Sequence, residues 1–233
     1  MKILAMDTSS QSACCALTED GMVLGEFFTN VKLTHSQTIM PMVHSLLEQT
    51  RISLSDVDLF AVTNGPGSFT GLRIGLSAVK GMAHALGKSC VGISTLEALA
   101  YNLYGQSCLV APVLDARCSQ VYTALFQWDG EVLTRLEEDA AITLSQLEER
   151  LKNAEKHVFL VGDGAKMCYN ILNKRVPNLM LASPALLFAR ASALALAAGK
   201  AADLGLAVPP AELVPAYLRL PQAERELLAR ESK

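Results

Sequence analysis

The segment KILAMDTSSQSACCALTEDGMVLGEFF, residues 2–28, returns in altered form as LVAPVLDARCSQVYTALFQWDGEVLTRL at 109–136. Both copies follow one grammar: an apolar run ending in Asp, a short polar loop, a second apolar run, an Asp-Gly turn and a third run. Asp7 answers to Asp115 and Ala16-Leu17 to Ala124-Leu125, each 108 residues apart. Gly21 and Gly130 stand 109 apart, so the second copy has gained one residue before its turn. An Asp-Gly pair between β-rich runs predicts a hairpin, because Gly takes positive φ at no steric cost. The likeness continues, since DLFAVTNGPG (58–67) and HVFLVGDGAK (157–166) each lead into a helical pattern. A repeat of this length restricts the chain to two units of one design.

Each half therefore reads β-β-β-α-β-α. The runs LFAV and VFLV lack polar alternation, which predicts sheet strands covered on both faces. The expected fold is α/β, with two tandem lobes of the actin-like, RNase H-like (ASKHA) plan at 1–104 and 105–208 and a tail at 209–233. In clamps of that plan the Asp ending each first strand faces a cleft between the lobes. That analogy marks Asp7, Thr8 and Asp115 as candidates for a nucleotide cleft, although a fold by itself does not fix a function.

Composition narrows the classes further. A chain of 233 residues with 51% hydrophobic and 18% charged residues has the makings of a packed protein rather than a disordered one. The formal net charge of −3 supplies no general basic field, so any RNA is expected to be held mainly by a partner. The opening MKILAMDTSS is too short in apolar residues for a signal-peptide core, and the longest later candidate, 184–199, is interrupted by Arg190. A cytoplasmic protein without a membrane span is expected. Six cysteines show neither a C-x-x-C pair nor metal-ligand spacing, and are read as reduced, mostly buried thiols.

The stretch TNGPGSFTGLRIGLSAVKG (63–81) is the strongest local signal. It is not a Walker loop, because Leu72 follows Gly71 where a Lys should stand, and G-x-G-x-x-x-G is not the dinucleotide fingerprint. On a helical wheel Gly71, Gly75, Ala78, Gly81 and Ala85 form a small-residue stripe, with Arg73, Ser77, Lys80 and His84 nearly opposite. Glycine inside a helix costs up to about 1 kcal/mol, so the stripe predicts a close approach by another backbone, with the lobe's own sheet taking part of the surface and a partner helix the remainder. A second helix is expected at 35–50, with Thr38 as cap ahead of Pro41 and a wide apolar arc. The two helices together predict an interface built from Ile39, Met42, Val43, Leu46, Gly71, Gly75, Ala78 and Met82. Catalytic patterns fail: His35 and His44 are nine apart, Ser68 is not in a G-x-S-x-G elbow, and DTSSQS lacks the Gly that admits a phosphate closely. An ATP-dependent phosphotransferase, a metallopeptidase of the actin-like superfamily and a nucleotide-binding module remain the alternatives to a binding subunit.

Across nearly the whole chain the segments ILAMDTSSQSACCAL, HSQTIMPMVHSLL, VTNGPGSFTGLRIGLSAVKGMAHAL, STLEALA, LDARCSQVYTALF and VPAYLR resemble the bacterial TsaB (YeaZ) family. The resemblance implies a non-catalytic subunit of the machinery that makes N6-threonylcarbamoyladenosine at position 37 of tRNAs reading ANN codons. It implies pairing with the catalytic paralogue TsaD, the ATPase TsaE as a further partner, tRNA reached only through the complex, and a homodimer when the chain is alone. It implies no cofactor of the chain's own and leaves ATP or ADP to the complex. The paralogue's metal-binding histidine pair has no counterpart in VGISTLEALAYN (91–102), so no metal and no catalytic residue are expected here.

Overall fold

The structure, a computed structural model, describes residues 1–31, 33–117 and 119–219. The first half contains β1 (Lys2–Asp7), β2 (Ala13–Glu19), β3 (Met22–Thr29), α1 (His35–Thr50), β4 (Leu59–Gly65), α2 (Phe69–Leu86), β5 (Ser89–Ser94) and α3 (Thr95–Ala100). The second repeats this order with β6 (Ser107–Asp115), β7 (Gln120–Asp129), β8 (Val132–Thr143), α4 (Leu144–Leu151), β9 (Val158–Val161), α5 (Ala165–Leu172), β10 (Leu179–Leu181) and α6 (Ala191–Asp203). The two sheets run β3-β2-β1-β4-β5 and β8-β7-β6-β9-β10, so the lobes share one topology. Each half carries a fifth strand and a third helix beyond the expected β-β-β-α-β-α. At the first hairpin Asp20 and Gly21 both take positive φ, 49° and 81°, matching the right-handed twist of the paired strands.

Alternation along the strands assigns the cores. Leu4, Met6, Phe60 and Val62 pack beneath α1 and α2, while Ile3, Ala5, Leu59 and Ala61 face the space between the lobes. Val110 and Leu114 face that same space, and Ala111 and Val113 face α4 and α5. The third helices cross over: α3 lies against β6 and β7, and the alanine-rich α6 lies against β1 and β2. The lobes therefore share one core. Trp128, fully buried, donates its indole N–H to the Ala100 carbonyl at 2.8 Å and meets Tyr101 and Tyr104 edge-on. Arg135 of β8 bridges Glu97 of α3 at 2.9 Å and Asp139 at 2.5 Å.

The cap of α1 differs from expectation. Thr34, not Thr38, occupies the N-cap, and Pro41 lies inside the helix, where its missing N–H leaves the Gln37 carbonyl without an i+4 donor. The described part of the tail is a strap on the first lobe. Val208 exchanges both backbone hydrogen bonds with Cys90 at 2.8 Å, Leu213 is buried in the core under α2, and Lys80 Nζ donates to the Leu213 carbonyl at 2.8 Å. Ala216 N–H donates to the Asn64 carbonyl at 2.7 Å, and Arg219 reaches the second lobe by donating to the Ala116 carbonyl at 2.6 Å. Cys118 and tail residues 220–233 lie outside the described residues.

Candidate functional site: an interlobe cleft and a helix groove

Two hollows flank the N-terminal turn of α2. The first, about 610 Å³, lies between the lobes, where the β1–β2 loop (Ser9, Ser10), the β6–β7 loop (Asp115) and Asp163 face the strap at Tyr217 and Arg219. The glycine-rich turn is one of its walls, and its glycines serve contact within the lobe. A Cβ on Gly67 would stand 2.4 Å from the Ser9 carbonyl oxygen, and one on Gly71 would stand 2.1 Å from that of Thr8. Ser68 N–H donates to the Ser9 carbonyl at 2.7 Å, and Thr8 Oγ1 donates to the Gly71 carbonyl at 2.7 Å. Ser68 also caps the helix, accepting from Gly71 N–H at 3.3 Å. The turn clamps α2 onto the loop after β1.

The sequence-matched carboxylates have diverged. Asp7 is fully buried and does not line the cleft; its Oδ1 accepts from Ser9 N–H at 3.0 Å and from the Thr63 hydroxyl. Thr8 is buried as well and serves α2. Asp115 is exposed, lines the cleft, and accepts from Arg117 N–H at 2.7 Å. The structure adds Asp163, which accepts from Asp115 N–H at 3.1 Å and, across the lobes, from the Gln11 N–H. Burial pushes the Asp163 carboxyl above its ordinary value, with the Asp115, Gly164 and Gln11 N–H groups pulling the other way. The signal for this residue was GDG (162–164), standing where the first half has NGPG.

The second hollow is a groove of about 530 Å³ between α1 and α2, lined among others by Ser36, Met40, Phe69, Arg73, Ile74 and Ala78. The residues expected at an interface divide between this groove and the lobe's own core. Ile39, Val43, Leu46 and Met82 are buried beneath the helices, with only Ile39 reaching the groove floor, and Gly71 and Gly75 are buried against Thr8. The physical reason is that the widest apolar arc of each helix goes to its own sheet. Of the predicted set, Ala78 remains half-exposed in the groove and Met42 half-exposed beside the core. Met40, 42% exposed, and Ile74 are groove residues the wheel did not single out. Further along α2, Gly81 and Ala85 are exposed, and a Cβ on Gly81 would meet nothing within 4 Å.

Among the described residues no three His, Cys, Asp or Glu side chains come together as a metal-ligand set. No helix among them is long and apolar enough to cross a membrane.

Two lobes of matching topology, with the loops after their first strands meeting at a cleft, define an α/β protein of the actin-like class. For the fold alone, the chain is similar to component A of (R)-2-hydroxyglutaryl-CoA dehydratase from Acidaminococcus fermentans, at 12% identity and a TM-score of 0.50, covering 87% of this chain and 99% of that one. The family model described as tRNA N6-adenosine threonylcarbamoyltransferase matches residues 23–227. The tRNA threonylcarbamoyladenosine biosynthesis protein TsaB of Bacillus subtilis (strain 168) is 38% identical over 162 residues, 70% of this chain and 71% of that protein. YeaZ from Pseudomonas aeruginosa is 28% identical with a TM-score of 0.77, covering 93% of this chain and 99% of that one. The chain belongs to the TsaB/YeaZ family.

Proposed function

We propose that this chain is the non-catalytic, activating subunit of the machinery that forms N6-threonylcarbamoyladenosine at position 37 of tRNAs reading ANN codons. The observation that carries the reading is the α1–α2 groove, a mostly apolar hollow on the outside of the first lobe bordered by exposed Met40 and half-exposed Ile74 and Ala78. A surface of this kind suits a docked helix. Its occupant in the active assembly is the catalytic relative TsaD, with a second copy of this chain taking its place when TsaD is absent. TsaE completes the complex. ATP or ADP belongs to that complex, and tRNA is recognised by it rather than by this chain, whose net charge is −3. The relatives named for this pathway support the reading, as does the departure of Asp7 and Thr8 from the cleft.

The test is reconstitution. The purified chain, incubated alone with tRNA and threonylcarbamoyl-adenylate, is expected to leave tRNA unmodified, and addition of TsaD and TsaE is expected to restore modification that TsaD without this chain performs poorly. Ala78→Trp, which fills the groove, is expected to abolish the restoration while the chain stays folded. Modification by the chain alone, or full stimulation by Ala78→Trp, would overturn the proposal.

A further inference from the structure

One end of the groove carries a cation whose position is already fixed. The Arg73 guanidinium carbon lies 3.9 Å from the centroid of the Phe69 ring, and Arg73 Nε donates to the Tyr217 hydroxyl at 3.1 Å. Tyr217 packs on the same ring, with centroids 4.8 Å apart. It is delivered there by the strap, which is anchored by buried Leu213 and by the hydrogen bond from Ala216 N–H to the Asn64 carbonyl. A long side chain that ordinarily loses considerable rotamer entropy on binding is thus held by its stem and its Nε. Its terminal nitrogens form the fork that matches a carboxylate.

Among the described residues no carboxylate pairs with Arg73, whereas Arg150, Arg175 and Arg190 each hold one and Arg135 holds two. The two helices that border the groove offer little to satisfy it in a second copy. Helix α2 carries Arg73 and Lys80 and no acid, and α1 carries a single acid, Glu48, in its last turn beside the separate hollow at His44 and Arg51.

Resting on the docking role proposed above, we propose that Arg73 is a preformed carboxylate receptor at the mouth of the α1–α2 groove. Its occupant is a different chain that presents an acidic side chain beside an apolar helix face. Tyr217 is a positioning residue that acts through Arg73, which gives the strap a role in recognition as well as in the fold.

The experiment measures binding of full-length TsaD to the full chain by calorimetry at low and high salt, with self-association followed by sedimentation. Arg73→Ala is expected to weaken the heteromeric complex about tenfold or more and to remove most of its salt dependence. Arg73→Lys restores only part of the affinity, because an ammonium lacks the fork. Tyr217→Phe keeps the ring on Phe69 and loses several-fold in affinity at an unchanged melting temperature. Ala78→Trp reports on the groove itself. If Ala78→Trp abolishes binding and Arg73→Ala does not weaken it, the receptor is refuted and the docking role stands; if neither variant matters, both fall. Equal weakening of self-association by Arg73→Ala would assign the site to a second copy and overturn the proposal. An effect of Arg73→Ala without one of Tyr217→Phe would remove the positioning role.

Discussion

Helix α2 contains its own controlled comparison. Gly71 and Gly81 sit on the same helix at negative φ, yet a methyl group on the first would stand 2.1 Å from the Thr8 carbonyl oxygen and one on the second would meet nothing within 4 Å. The Gly71 neighbour is backbone at the end of β1, so it cannot swing aside, and the helix must move instead, straining the 2.7 Å bond from Thr8 Oγ1. Overpacking of this kind costs about 1–3 kcal/mol. A Gly→Ala change in a helix returns up to about 1 kcal/mol, less in the first turn where Gly71 lies. Gly71→Ala is therefore expected to be destabilising by about 1–2 kcal/mol, a fall of roughly 2–8 °C in melting temperature for a chain of this size. Gly81→Ala, which reduces the freedom of the unfolded chain and strains nothing, should stabilise by about 0.5–1 kcal/mol and raise the melting temperature by roughly 1–4 °C. Scanning calorimetry of both variants beside the parent reads the two signs directly. A melting temperature for Gly71→Ala at or above that of the parent would refute the clamp of α2 onto the β1–β2 loop.

Two further outcomes follow from burial. Cys14, Cys15, Cys90, Cys108 and Cys168 are buried thiols, with desolvation raising Cys15 and Cys168 to about 12 and Cys90 to about 11, so a Cys118→Ser variant should be inert to N-ethylmaleimide at pH 8 and take up five equivalents only in denaturant. Rapid labelling of the native variant would contradict this. Asp163 is an acid whose folded pKa is raised, so the native state keeps its proton longer than the unfolded chain and stability falls as pH rises from the ordinary aspartate value of 3.8 through the raised one. Asp163→Asn should flatten that fall in denaturant titrations across the acid range, and an unchanged slope would refute the assignment.

The architecture was legible because the hairpin unit occurs twice and because strands covered on both faces leave continuous apolar runs. What escaped were features decided at a distance in sequence. Nothing in ASALALAAGKAAD says that α6 will cross to the first lobe. There it packs its alanine face on β1 and β2, and Glu26 of β3 accepts from Ser192 N–H at 3.1 Å and from Arg190 at 2.7 Å. The strap was equally hidden, because its anchors Asn64, Lys80 and Cys90 lie more than a hundred residues upstream of the tail. Asp163 cannot be reached from the ends of the first strands, because the cleft takes its second carboxylate from the loop after β9.

The helical wheel gives a face its direction without its partner. It identified a stripe of small residues on α2 and inferred a close backbone approach, which is the correct physics, but periodicity gives the direction of a face and not what lies opposite it. At Gly71 and Gly75 the opposing group is Thr8 of the same lobe, and the wide apolar arc of α1 is spent on the same sheet. The exposed surface that remains is set by the residues at the arc's margin, Met40, Ile74 and Ala78, and by how the tail dresses the helix's first turn through Tyr217. A lobe that covers its sheet and, in the role proposed above, also receives a partner has two demands on each helix. Burial takes the centre of the apolar arc, so the flanks are where recognition has to be sought.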